Sequence, residues 1–170
     1  MSDLESQSLF VEHVVEHRGS NFVYTDGSKS DAGVGFGVHS NDFNRSGALP
    51  PVASIFTAEV YAILTAVEKI VLEKEGSFTI FSDARSVLQA LEVFNSSNPL
   101  VLKILKWLSI IELRGLRVQF CWVPAHVGVC GNEKADSLAK NAASELLPRR
   151  YPIPYTDFLP NIKKLLCNKW

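Results

Sequence analysis

WVPAHVGVCGNEKADSLAK, residues 122–140, leaves a strand, crosses a glycine-bearing loop and enters a helix. The residues before it, LRVQFCWV (116–123), alternate apolar and polar as a half-buried strand does. The loop carries His126, Gly128 and Gly131. The spacing predicts a helix from near Asn132 to about Glu145, with Asn132 and Glu133 as candidates to cap and steady it. Asp136 then lies early in that helix. The full pattern, H-x-G-x-x-G-N-E-x-A-D from His126 to Asp136, joins a titratable histidine to an acid across a loop and a helix start.

Working outward, SFTIFSD (77–83) is a short apolar strand, followed by helix candidates over about 84–94 and, after Pro99, about 99–112. From Phe56 to about Lys74 the apolar residues Val60, Ile63, Leu64, Val67 and Val71 recur at helical spacing, with Thr57 as a candidate cap. Three strand candidates precede that helix: NFVYTD (21–26), AGVGFGVHS (32–40) and FNRSGAL (43–49), ended by Pro50 and Pro51. A hairpin-rich start followed by strand–helix alternation implies one mixed sheet with helices on its faces. Gly33, Gly35 and Gly37 do not have the G-x-G-x-x-G spacing, and a strand follows them, so they predict close strand packing rather than a phosphate loop.

The 170 residues suit one domain with a real core. A hydrophobic content of 46% and a charged content of 21% match an ordinary soluble globular chain. The net charge of −1 excludes a strongly basic grip on nucleic acid. Any such site must be a local patch, or use metal ions to offset phosphate charge. Cys121, Cys130 and Cys167 are an odd set with no close pair, which argues against a disulfide framework and for a reducing compartment. MSDLESQSLF has no secretory pattern, and no apolar run has membrane-spanning length. The expectation is an intracellular protein of cytoplasm or nucleus, not secreted and not in a membrane.

The acids raise the chemical question. Asp26 closes the first strand and Asp83 the fourth, so neighbouring strands would bring both to one sheet edge. Glu59 lies in the first turn of its helix, and Asp136 could point to the same edge. Taken singly, these are turn residues and dipole-complementing helix residues. Gathered together, they would raise one another's pKa unless a divalent cation offset the charge. Oxygen-only ligands suit Mg²⁺ or Mn²⁺, and a pair of such ions cleaves phosphodiesters. The pattern alone leaves both readings open.

YTDGS (24–28), TAE (57–59), FSDARSVLQAL (81–91) and the 122–140 block, in that order, resemble the type 1 ribonuclease H family. The likeness is greatest to the ribonuclease H domain attached to reverse transcriptase in non-LTR retrotransposons. It covers about 20–145. The tail PIPYTDF (152–158) resembles the segment C-terminal to that domain in such elements. The resemblance implies an α/β ribonuclease H-like fold: a five-stranded mixed sheet, its first three strands antiparallel, flanked by helices. It divides the chain into an N-terminal extension over 1–19 with a candidate short helix, the domain over 20–147, and a proline-containing tail over 148–170. It places the metal-binding acids on Asp26, Glu59, Asp83 and Asp136, with two Mg²⁺ ions and Mn²⁺ as a substitute. It places on His126 a role in proton transfer or product departure. It makes Gly27, Ser28, Arg85 and Asn132 candidate substrate contacts. The activity implied is cleavage of the RNA strand of an RNA/DNA hybrid, read through 2′-hydroxyls.

Departures qualify this. Ala84 stands where relatives often have Ser or Thr, and the loop GSKSDAG lacks the Asn of bacterial relatives. NSSNPL (95–100) leads directly into the next helix, without the basic insertion of bacterial members. Weak intrinsic affinity is therefore expected, with a reverse transcriptase in a larger polyprotein holding the hybrid. The isolated domain is expected to be a monomer. A catalytically inactive scaffold would be marked by a lost acid, and all four are present. Integrase-like enzymes place their glutamate last, whereas Glu59 lies between Asp26 and Asp83. His13-Val14-Val15-Glu16-His17 matches H-x-x-E-H, but its helix is too short for a zinc site. Trp107 is expected in the core and Trp122 beneath the site.

Overall fold

The computed structural model describes residues 19–93, 96–125, 127–145 and 151–167. The candidate helix near the N-terminus, with His13 and His17, lies outside them. Strands β1 (Asn21–Ser30), β2 (Gly33–Ser40) and β3 (Asn44–Leu49) are followed by helix α1 (Ile55–Ile70) and strand β4 (Ser77–Ser82). Helices α2 (Arg85–Glu92) and α3 (Pro99–Leu113), strand β5 (Arg117–Trp122) and helix α4 (Cys130–Ala143) complete the domain body. A 3₁₀ turn (Tyr155–Phe158) and helix α5 (Leu159–Cys167) come last.

The five strands form one sheet in the order β3-β2-β1-β4-β5. β1–β2 and β2–β3 are antiparallel, while β1–β4 and β4–β5 are parallel. This is the expected mixed sheet, with its first three strands antiparallel. Strand alternation divides the side chains between two faces. On one face Val23, Val34, Phe36 and Val38 are buried against α1. α1 itself lies between the sheet and α3, so Val60, Tyr61, Ile63, Leu64 and Val67 are buried around most of its circumference.

On the other face α4 crosses β1 and β2. Gly33, Gly35 and Gly37 make this crossing close. A Cβ on Gly35 would lie 2.5 Å from both the Ala139 oxygen and the Ala143 nitrogen. α4 answers with small buried residues, Ala135, Ala139, Ala142 and Ala143. The close packing expected of these glycines is therefore between a strand and a helix.

Several local expectations are corrected. Asp26 does not close β1, because pairing with β2 continues as far as Ser30↔Gly33. Most of GSKSDAG is thus strand and tight turn rather than loop. The cap of α1 is Ser54, not Thr57: the Ser54 hydroxyl accepts from the Thr57 amide at 3.1 Å. α4 starts at Cys130, so Asn132 lies inside the helix and caps nothing. Among the described residues, no helix is long and apolar enough to cross a membrane.

Candidate metal centre

Strand register begins the site. The last β1–β4 pair is Thr25↔Ser82, so Asp26 and Asp83 come next, side by side at the ends of a parallel pair. Glu59 reaches them from α1. Gly27 permits this approach, since a Cβ there would sit 2.8 Å from the Glu59 nitrogen and 3.0 Å from its Cδ. One carboxylate oxygen from each of Asp26, Glu59 and Asp83 lies within 4.8 Å of the others. Asp136, in the second turn of α4, is outside that set of three, but its side chain hydrogen-bonds with Asp26 while its Oδ2 accepts from Lys140 Nζ at 2.7 Å. Its charge also acts on Asp26.

The trio is electrostatically costly when bare. Burial, then the charges of Asp83 and Asp136, push the Asp26 carboxyl up to about 8. Burial, then Asp26 and Asp83, push Glu59 up to about 9. The Gly27 backbone N–H opposes both shifts in part. Glu59 Oε2 is buried and has no hydrogen-bond partner among the described residues. A buried, oxygen-only set with an unsatisfied carboxylate oxygen fits a hard divalent cation such as Mg²⁺ or Mn²⁺.

The shifts predict how stability depends on pH. Ordinary values for the two groups are 3.8 and 4.5, so across the window up to about 8–9 the folded chain holds more protons than the unfolded one. Their contribution is therefore fully present below about pH 4 and is lost as pH rises through the folded values. Without metal, the melting temperature should fall from pH 5 to pH 8.5, and Mg²⁺ should restore much of it at the upper end. A melting temperature that rises across this window in EDTA would contradict the assignment.

The remaining candidates are more dispersed. Ser28 and Arg85 are near the acids in sequence, and Arg85 is exposed. Gly27 acts in packing α1 against β1. Asn132 is buried on α4 one turn before Asp136, and its Oδ1 has no partner among the described residues. His126 lies outside the described residues. The Ala84 amide donates to the Ser82 hydroxyl at 3.2 Å, which steadies the turn after β4.

Trp122 does not lie beneath the site. It is 43% exposed on the edge strand, and its indole N–H donates to the Asp83 carbonyl at 3.1 Å. With Arg85, Gln89 and Phe120 it borders an open groove of about 750 Å³. β5 is an edge strand of the sheet and Trp122 is its last residue, at the open rim.

The RNase H family model matches residues 17–144. Pol polyproteins of equine infectious anemia virus, isolates 1369 and CL22, are each 32% identical over 125 residues. The match covers 69% of this chain and 10% of each viral protein. The chain thus spans about a tenth of the length of these curated relatives.

Proposed function

As the chain belongs to the RNase H family, we propose that it hydrolyses the RNA strand of RNA/DNA hybrids with two divalent metal ions. The observation that carries this reading is the convergence of Asp26, Glu59 and Asp83 on one point, one acid from each of three elements. A sheet edge holding three acids this close is a poor structural device, because it stores repulsion that no described ion pair relieves for Glu59 Oε2.

Asp26 and Asp83 would hold the ions from the strand side, Glu59 from α1 and Asp136 from α4. Divalent ions supply activation of the attacking water and charge stabilisation at the leaving oxygen. The chain's own part is placement. β1 and β4 are tied by parallel pairing up to the residues just before the acids, so Asp26 and Asp83 have little freedom. Asp136 already reaches Asp26, and a cation would take the place of that contact and of the Lys140 ammonium as its partner. Gly27, Ser28, Arg85 and Asn132 are the proposed substrate contacts, and His126 the residue assisting proton transfer or product departure.

The natural setting proposed is a retroelement polyprotein of the non-LTR type, with the domain over 20–147 and its tail over 148–170 joined to a reverse transcriptase. The net charge of −1 supports this, since such a surface alone has weak attraction for a hybrid. The test is cleavage of an end-labelled RNA/DNA hybrid with Mg²⁺. Internal cuts in the RNA strand are expected, none in the DNA strand, and none once EDTA is present. Absence of cutting at high enzyme concentration would refute the activity, and cutting in EDTA would refute the mechanism.

A further inference from the structure

Residues 151–158 lie beyond the family match, which ends at 144, yet they hold the helix that carries Glu59. The Tyr151 ring packs edge-on against Phe36 and Tyr61, with centroids 5.4 and 5.0 Å away. Gly47 leaves room for it, since a Cβ there would sit 2.7 Å from the Tyr151 hydroxyl. The Tyr61 hydroxyl donates to the Pro152 carbonyl at 2.6 Å. Ile153 packs on the core and Pro154 is buried. At the far end, one oxygen of Asp157 accepts from the Ser54 amide at 2.9 Å and the other from the Ser54 hydroxyl at 3.0 Å.

The chemistry at Ser54 gives this contact its weight. Ser54 is the N-cap of α1, and because the helix starts at Ile55 the first turn contains no acid: Glu59, expected there, lies in the second turn. A carboxylate at a helix N-terminus satisfies free N–H groups and complements the helix dipole. Here that carboxylate comes from Asp157, 103 residues away in sequence. The two anchor points, Ser54 and Tyr61, lie on either side of Glu59. The absent side chain of Gly27 lets the Glu59 backbone lie close against β1.

We propose that residues 151–158 form a strap that sets the position of α1, and that Asp157 is a positioning residue for Glu59 in the metal centre. The inference rests on the metal-binding reading of Glu59. The strap ties the start of α1 to Tyr61, about two turns on, so loss of the Asp157 contact frays the helix end ahead of the ligand. The expected result is a local effect on α1 and a weaker cation site, with hybrid binding unchanged.

The test compares the full chain with Asp157→Ala and Asp157→Asn. In Asp157→Ala the amides of Thr57 and Ala58 should exchange roughly 2- to 30-fold faster, the span produced by losing a helix cap. The amides of β4 should keep their protection. The Mg²⁺ concentration giving half-maximal cleavage should rise several-fold while KM for the hybrid stays constant. Asp157→Asn keeps an acceptor for the Ser54 amide and should recover part of both effects. Unchanged α1 exchange in both variants would overturn the proposal, as would faster exchange spread evenly over the sheet. Exchange is read without cleavage, so an inactive parent chain would count against the ribonuclease reading alone.

Discussion

Asp83→Asn is expected to lower hybrid cleavage by at least about 10²-fold, the scale on which one group that stabilises charge at a reacting centre is felt. Aspartate and asparagine have nearly the same shape, so the turn after β4 and the bond from Trp122 to the backbone carbonyl should survive. What changes is charge. Asp83 raises the pKa of both Asp26 and Glu59, so its neutralisation relieves repulsion in the metal-free chain. The melting temperature in EDTA should therefore stay level or rise while cleavage is lost. That opposite movement separates a ligand from a packing residue. Cleavage within about threefold of the parent under saturating Mg²⁺ would remove Asp83 from the centre. A falling melting temperature would assign it a structural role instead.

The sheet and the helices could be read from the sequence because their signals are local. Apolar spacing in α1, the Pro99 start of α3 and the alternation in β5 each lie within one element. The glycines of β2 announced close packing, though their partner, the alanine ridge of α4, became visible only in three dimensions. Boundaries were harder. Asp26-Gly27-Ser28 has the composition of a turn, but pairing with β2 overrides that preference and extends the strand. Ser54 and Thr57 are both competent caps, and the chain path after Pro50 and Pro51 decides between them.

At the site, the acids gained meaning from their flanking motifs rather than from spacing. Register then explains Asp26 and Asp83, and the missing side chain of Gly27 explains Glu59. Asn132 has the composition of a cap but sits inside the helix, because α4 begins two residues earlier. The tail was least legible. The bonds from Asp157 to Ser54 cross 103 residues that no local pattern connects.

Gly37→Val is expected to damage stability and chemistry together. Gly37 is paired with Asp26 across β1 and β2, so it occupies the strip of sheet that α4 covers beside the acids. A Cβ at this position would press on the Ala135 carbonyl oxygen, lie 2.7 Å from the Ala139 nitrogen and 2.8 Å from the Leu138 Cβ. The first two are backbone atoms, which cannot turn aside as a flexible side chain can. α4 would have to lift from the sheet, opening its contact with Gly33 and Gly35 as well. Overpacking of this kind costs about 1–3 kcal/mol, and more when no rotamer relieves it. Asp136 is carried by the next residue after Ala135, so the same lift would draw its carboxylate away from Asp26. The denaturant midpoint should drop, and cleavage by the fraction that remains folded should drop further. A parental midpoint with parental activity would mean that α4 does not set the distance between Asp136 and the other acids. Gly37→Ala, with a single added methyl, should fall between the two in both measurements, since the clash already begins at Cβ.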